Sequence, residues 1–160
     1  MVVDIKDNEA FWSYVGQFGP GFLTVHSIGL CARPIMPTID RKVGVLTVLV
    51  DRDWLKVEAH SYQVVLTYLC EFTRECLVVY GKAISSARPE DIKAVWSLAH
   101  ERAYPQGPAW SRLVALRTTP DVVETWQLGA GRAARSWKFV QGVIEPTIPV
   151  PGRADSSDYR

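Results

Sequence analysis

The sequence predicts a mainly β protein, a small antiparallel barrel of six to seven strands with added helices. Two observations lead there. Short apolar runs rich in Val, Ile, Leu and Thr recur along the chain, separated mostly by tight turns of Gly, Pro and Asp. Helical spacing of apolar residues appears in only a few places, too few to cross over between parallel strands.

The elements follow in order. Residues 4 to 18 predict a helix, with Asp4 or Asp7 as cap and Ile5, Phe11, Trp12, Val15 and Phe18 on one face; Gly19-Pro20-Gly21 stops it. Phe22 to His26 is a strand, followed by a turn at Ser27-Ile28-Gly29. Leu30 to Ile39 is a second strand, broken by Pro34, whose missing N–H implies an edge or a bulge. After Asp40-Arg41-Lys42, Val43 to Val50 is almost wholly apolar and predicts a strand buried on both faces. Asp51 to Ser61 predicts a short helix capped by Asp51 or Asp53. Gln63 to Cys70 and Leu77 to Ser85 are further strands. Pro89 opens a helix expected to run to about Tyr104. Leu113 to Thr118 and Val122 to Leu128 are the last two core strands, separated by Thr119-Pro120-Asp121. The expected organisation is one barrel domain over residues 1–128 and a partly disordered C-terminal extension over 129–160, in which Ser136 to Ile144 could add one strand or helix and Arg132, Arg135 and Trp137 lie in a solvated tail.

The chain has 160 residues, 48% hydrophobic and 22% charged, with net charge +1. That is an ordinary globular composition without a basic field for nucleic acid. No apolar run approaches the roughly 18 residues of a membrane span. The N-terminus lacks a signal-peptide core, and Cys31, Cys70 and Cys76 form no CxxC, so the expected setting is the reducing cytoplasm, with the thiols in the core. His26, His60 and His100 share no metal-ligand spacing, so no metal is expected. No serine lies in a nucleophile motif.

Two segments carry chemistry. Ala32-Arg33-Pro34-Ile35-Met36 and Val50-Asp51-Arg52-Asp53-Trp54-Leu55-Lys56 each put a cation at the end or flank of an apolar β run. Arg33 and Lys56 converging from neighbouring strands would make a site for a doubly charged anion such as a phosphate, with Arg52 a second candidate. The N-terminus of the helix after Val50 would add N–H donors.

These segments, in order with "GFLTV", "VVYGKA", "EDIKAVW" and "LVALRTTPDVVETWQL", resemble the pyridoxamine 5′-phosphate oxidase-like split barrels, in particular their general stress protein 26 branch, over about residues 9 to 128. The resemblance implies a flavin-binding split barrel and a homodimer with flavin mononucleotide (FMN) at the subunit interface. It implies that Arg33 meets the phosphate or ribityl chain and that the backbone of Pro34, Ile35 and Met36 lies along the flavin ring. Val50 and Asp51 would close over the ribityl chain and ring edge, and Lys56 would hold the phosphate. Tyr104 and Trp126 would come from the partner. The chain departs from the family pattern at Trp54, where relatives carry Ser, at Ala103, where they carry Trp, and at Cys31, where they carry a basic residue.

The function expected is that of an FMN-dependent oxidoreductase acting on a small substrate that no motif identifies. The alternatives are a dimer that binds flavin or haem for storage or stress sensing without turnover, or a cofactor-free scaffold. No side chain is singled out as catalytic.

Overall fold

The structure, a computed structural model, describes residues 8–18, 21–26, 32–55, 59–70, 74–127, 129, 133–140 and 143–147. It comprises α1 (Asn8–Val15), β1 (Gly21–Val25), β2 (Ala32–Ile35), β3 (Thr38–Asp40), β4 (Val45–Asp51), α2 (Arg52–Leu55), β5 (Ser61–Cys70), β6 (Glu75–Ser86), α3 (Pro89–Val95), α4 (Leu98–Ala103), β7 (Leu113–Gln127), β8 (Ala133–Val140) and β9 (Val143–Thr147). The strands form one antiparallel sheet, ordered β2-β1-β5-β6-β7-β4-β3, with the hairpin β8–β9 branching from β7.

The two ends of that order are neighbours in sequence. Only Met36 and Pro37 separate β2 from β3, so one bent strand pairs with β1 by its first half and with β4 by its second. This bend curls the sheet into the expected antiparallel barrel. The break falls at Met36-Pro37 rather than at Pro34. Pro34 lies within β2, opposite Phe22, and among the described residues β2 pairs with β1 alone, the edge setting in which a proline is tolerated.

The strand count is nine among the described residues, not six or seven. The long strand is split into β2 and β3, and the chain beyond residue 128 adds two more. In the other direction, the two strands expected on either side of Pro120 are one, the 15-residue β7. Strand β6 pairs with it from Ala115 to Gln127, with a register shift at Tyr80/Gly81 that accommodates the proline. A Cβ on Gly81 would stand 2.5 Å from the Thr119 carbonyl oxygen, so the close approach of the two strands requires glycine. Along the opposite edge β7 changes partner, pairing through residues 113–118 with β4 and through residues 122–126 with β8.

Alternation along the strands sorts the side chains. Leu46, Val48 and Val50 join Leu23, Leu66, Leu77, Val79 and Leu116 in the barrel interior. Helix α1 closes it with Phe11, Trp12 and Val15. Phe11 makes edge contacts with Trp12 at 5.1 Å, Trp137 at 5.5 Å and Phe139 at 5.2 Å. Trp137 is 4% exposed, so this stretch is not the solvated tail that its small, basic composition suggests.

On the outer face, Leu49, Leu113 and Ala115 are covered by Ile92 of α3. This buries β4 on both faces, as its apolar run predicts. The single helix expected after Pro89 is two. Trp96 and Ser97 adopt extended backbone, and Ser97 starts α4 with a capping box to His100.

Candidate functional site

Where β2, β4 and α2 meet, a cleft of about 510 Å³ opens, lined by Arg33, Pro34, Ile35, Leu49, Val50, Asp51, Asp53, Trp54, Tyr104 and Arg112. Its placement follows from the register. Asp51 ends β4 opposite Leu113, the first residue of β7, so Arg112 arrives beside the Asp51 carboxylate. Arg112 donates from Nε to Asp51 Oδ1 at 3.2 Å and from Nη2 to Asp51 Oδ2 at 2.8 Å, and it pairs with Asp53 at 2.7 Å. Its guanidinium also lies 5.3 Å from the centre of the Trp110 ring. Tyr104 donates from its hydroxyl to the Leu49 carbonyl oxygen at 2.9 Å, and burial raises its pKa, with Asp51 adding to the effect. Arg33 lies 5.7 Å from the centre of the Trp54 ring. Trp54 is itself buried, and its indole Nε1 has no hydrogen-bond partner among the described residues.

Six of the residues singled out from the sequence therefore meet in one cleft: Arg33, Pro34, Ile35, Val50, Asp51 and Tyr104. Tyr104 lines the cleft of its own chain, where the resemblance had it reach across from a partner. Met36 is half exposed and lines an adjoining chamber instead. Arg52 is exposed and does not line the cleft. Trp126 lies toward the opposite end of β7, opposite Cys76, and donates to Glu124 at 3.0 Å. Lys56 lies outside the described residues. Cys70 and Cys76 are half-buried, and Cys31 also lies outside the described residues.

The helix-terminus donors expected after Val50 are already engaged. Helix α2 is a single four-residue turn; the Arg52 N–H donates to the Arg112 carbonyl at 2.7 Å and the Asp53 N–H to Asp51 Oδ1 at 2.9 Å. The Asp51 side chain that caps the turn takes the second of these donors, and the carbonyl just before β7 takes the first.

Arg112, Asp53 and Leu49 were not singled out from the sequence. Their only signal is the pairing of β4 with β7, which no local pattern encodes. The cleft thus carries two cations in different states. Arg112 is neutralised by two carboxylates, whereas Arg33 rests on an aromatic face without an ion pair among the described residues.

A second, more apolar chamber of about 180 Å³ shares Pro34, Ile35, Leu49 and Tyr104 with the cleft and continues past Met36 and Val48 to Ala99, His100 and Ala103. The small side chains of Ala99 and Ala103 leave it open.

Among solved structures, the chain is similar to the general stress FMN/FAD binding protein from Xanthomonas citri, at 16% identity over 77% of this chain and 89% of that one, with a TM-score of 0.62. It is similar to a protein related to general stress protein 26, of the pyridoxinephosphate oxidase family, from Clostridium acetobutylicum, at 13% identity over 79% and 92% with a TM-score of 0.60. It is also similar to the general stress protein 26 from Bacillus anthracis str. Sterne, at 16% identity over 74% and 92% with a TM-score of 0.58. The fold is the split barrel of these proteins. No family model and no curated protein matches the sequence.

Proposed function

We infer that this cleft binds a flavin, FMN by preference, and that the protein is a flavin-dependent oxidoreductase of unidentified substrate. The observation that carries this reading is the convergence of Arg33, Pro34, Ile35, Val50 and Asp51 on one cleft in a barrel of this fold. The residues fit such a group. A volume of about 510 Å³ lies within the usual range for cofactor sites. Arg33 would hold the phosphate, while Pro34 and Ile35 would offer flat walls and backbone to the ring. Tyr104, fixed through its hydroxyl to Leu49, would limit how far the ring moves. When bound, the flavin supplies hydride or electron transfer. The chain's own part is to orient it and to keep water from one face.

In this reading the protein is a cytoplasmic homodimer. Two features support that. Trp126, implied at the flavin by the resemblance, lies away from its own chain's cleft, where a partner could receive it. Among the described residues no helix is long and apolar enough to cross a membrane.

A second reading is favoured by one observation. Arg112 is held by Asp51 and Asp53, which leaves Arg33 as the one unpaired cation among the described lining residues. A site so sparing of charge suits a binding or sensing protein that holds flavin without turnover.

The test is a visible absorption spectrum of the purified protein, repeated after adding FMN and desalting. Retained flavin colour supports the site, and bleaching by NAD(P)H separates the oxidoreductase from the binding protein. Arg33→Ala should weaken FMN by about 1.5–3 kcal/mol, the range for a hydrogen bond to a charged group. An unchanged FMN titration in that variant would remove Arg33 from the site.

A further inference from the structure

The adjoining chamber holds a histidine whose tautomer is fixed by the fold. His100 is 8% exposed. Its Nδ1 accepts the Ser97 backbone N–H at 3.1 Å and lies 2.9 Å from Ser97 Oγ. An Nδ1 that accepts an amide proton carries none of its own, so in the neutral ring the proton sits on Nε2. Burial lowers the pKa of His100, which favours that neutral ring at physiological pH. The Trp96 ring stacks on the imidazole at 5.7 Å and 30°, fixing its plane. Among the described residues, Nε2 has no hydrogen-bond partner. Among the described residues the enclosed side-chain polar atoms left without a partner are Trp54 Nε1, Tyr68 Oη and Thr118 Oγ1; Nε2 is not one of them and is open to solvent. The result is a fixed, neutral donor in the wall of an otherwise mainly apolar space.

We propose that this chamber binds a small, flat, uncharged carbonyl compound, with His100 Nε2–H donating to the carbonyl oxygen and Leu49, Ala99 and Ala103 packing against the ring. The assignment follows from the chemistry of the walls. A neutral donor selects an acceptor; among the described lining residues there is no cation to favour a carboxylate or phosphate; and about 180 Å³, below the roughly 300–1,000 Å³ of drug-sized sites, limits the ligand to about one ring. As a binding site it stands on the chamber's own residues. As the place for a flavin's reaction partner, reached across the shared wall of Pro34, Ile35, Leu49 and Tyr104, it rests on the function proposed above.

The probe is acetophenone, compared with α-methylstyrene, which has nearly the same shape and no oxygen. Binding to the full chain without added FMN is followed by the imidazole ¹H–¹⁵N NMR signals. Acetophenone should shift the His100 Nε2 signal, and α-methylstyrene should bind about three- to tenfold more weakly, the net worth of one hydrogen bond exchanged with water. His100→Phe keeps an aromatic ring against Trp96 and should lose acetophenone affinity by a similar factor. Ser97→Ala retains the backbone donor that sets the tautomer and should bind acetophenone within about twofold, inside the scatter of a neutral change. Equal binding of the two probes, an unmoved His100 signal, or unchanged affinity in His100→Phe overturns the proposal. A separate FMN titration keeps the two readings apart. Acetophenone binding without FMN binding sinks the flavin and keeps the chamber, whereas FMN binding with none of the acetophenone effects does the reverse.

Discussion

The two halves of β7 lie on one strand and serve the molecule differently. Residues 113–118 pair with β4, carry Leu113 and Ala115 on their outer face under α3, and begin beside the Arg112–Asp51 pair at the cleft. Residues 122–126 pair with β8, which brings Trp137 onto Phe11 and closes the barrel interior at its far end. The first half builds a recess with charged and polar atoms at its rim; the second builds an aromatic plug. The change of partner at Pro120 lets one strand do both. A proline there removes a donor at the point where no single neighbour spans the edge.

If the halves are so divided, damage to the plug should destabilise the protein while sparing the cleft's chemistry in the molecules that remain folded. Trp137→Ala should cost about 3–5 kcal/mol, the usual range for emptying a buried aromatic position, read as a lower urea midpoint. A loss of only a few tenths would mean that β8 is an appendage. Gly81→Ala strikes the junction between the halves. Its Cβ would press on the Thr119 carbonyl, and the forced shift should cost about 1–3 kcal/mol by the same measurement.

The cleft half is probed without touching the fold. Asp53 is largely exposed and shares Arg112 with Asp51. Asp53→Asn should leave stability almost unchanged and tighten FMN by about 0.5–1 kcal/mol as Arg112 gains freedom to face an anion, the scale of an exposed ion pair. No gain in titration would mean that Arg112 points its charge elsewhere. The smallest effect concerns pH. The pKa of His100 is lower in the folded chain than its ordinary value near 6.5. Below that value the unfolded chain takes up a proton that the folded chain resists, so stability should fall as pH drops through about 6.5. His100→Gln keeps the capping box and should flatten that slope in urea titrations at pH 5.5 and 7.5.

The sequence makes one of these halves far more legible than the other. The apolar run from Val43 to Val50 and the alternation through Leu113 to Thr118 announce strands at once, and Arg33 with its proline neighbour marks the cleft. The plug is hidden. Ala133 to Ser136 is small and polar, so the start of the strand that brings Trp137 inward reads as tail and Ser136 to Ile144 reads as either a strand or a helix, and Pro120 reads as a stop because nothing local reveals that β7 is then changing partner. The same limit hides the rest of the site. Arg112 matters only because Leu113 pairs with Asp51. His100 matters only because Trp96 and Ser97 leave the helical conformation, and a continuous helix was the better reading of an apolar spacing that continues through them. The short helix after Val50 shows the converse error. Asp51 or Asp53 is expected to cap it, and Asp51 does, taking the Asp53 N–H while the Arg112 carbonyl takes the Arg52 N–H, so those two donors do not face an anion.

The bent strand of β2 and β3 has a consequence for how the chain reaches this shape. Its pairings with β1 and β4 join neighbours in sequence and close with short loops. The largest loops to be closed lie between β1 and β5, whose nearest pair is Val25 with Val64, and between β4 and β7, whose nearest pair is Asp51 with Leu113. The entropy of closing those two large loops has to be met before the ladders reward it. The search that limits assembly is therefore the docking of two preformed hairpin arms onto the long β5–β6–β7 meander, and the cleft, which lies across the second of those seams, takes form only when that search ends.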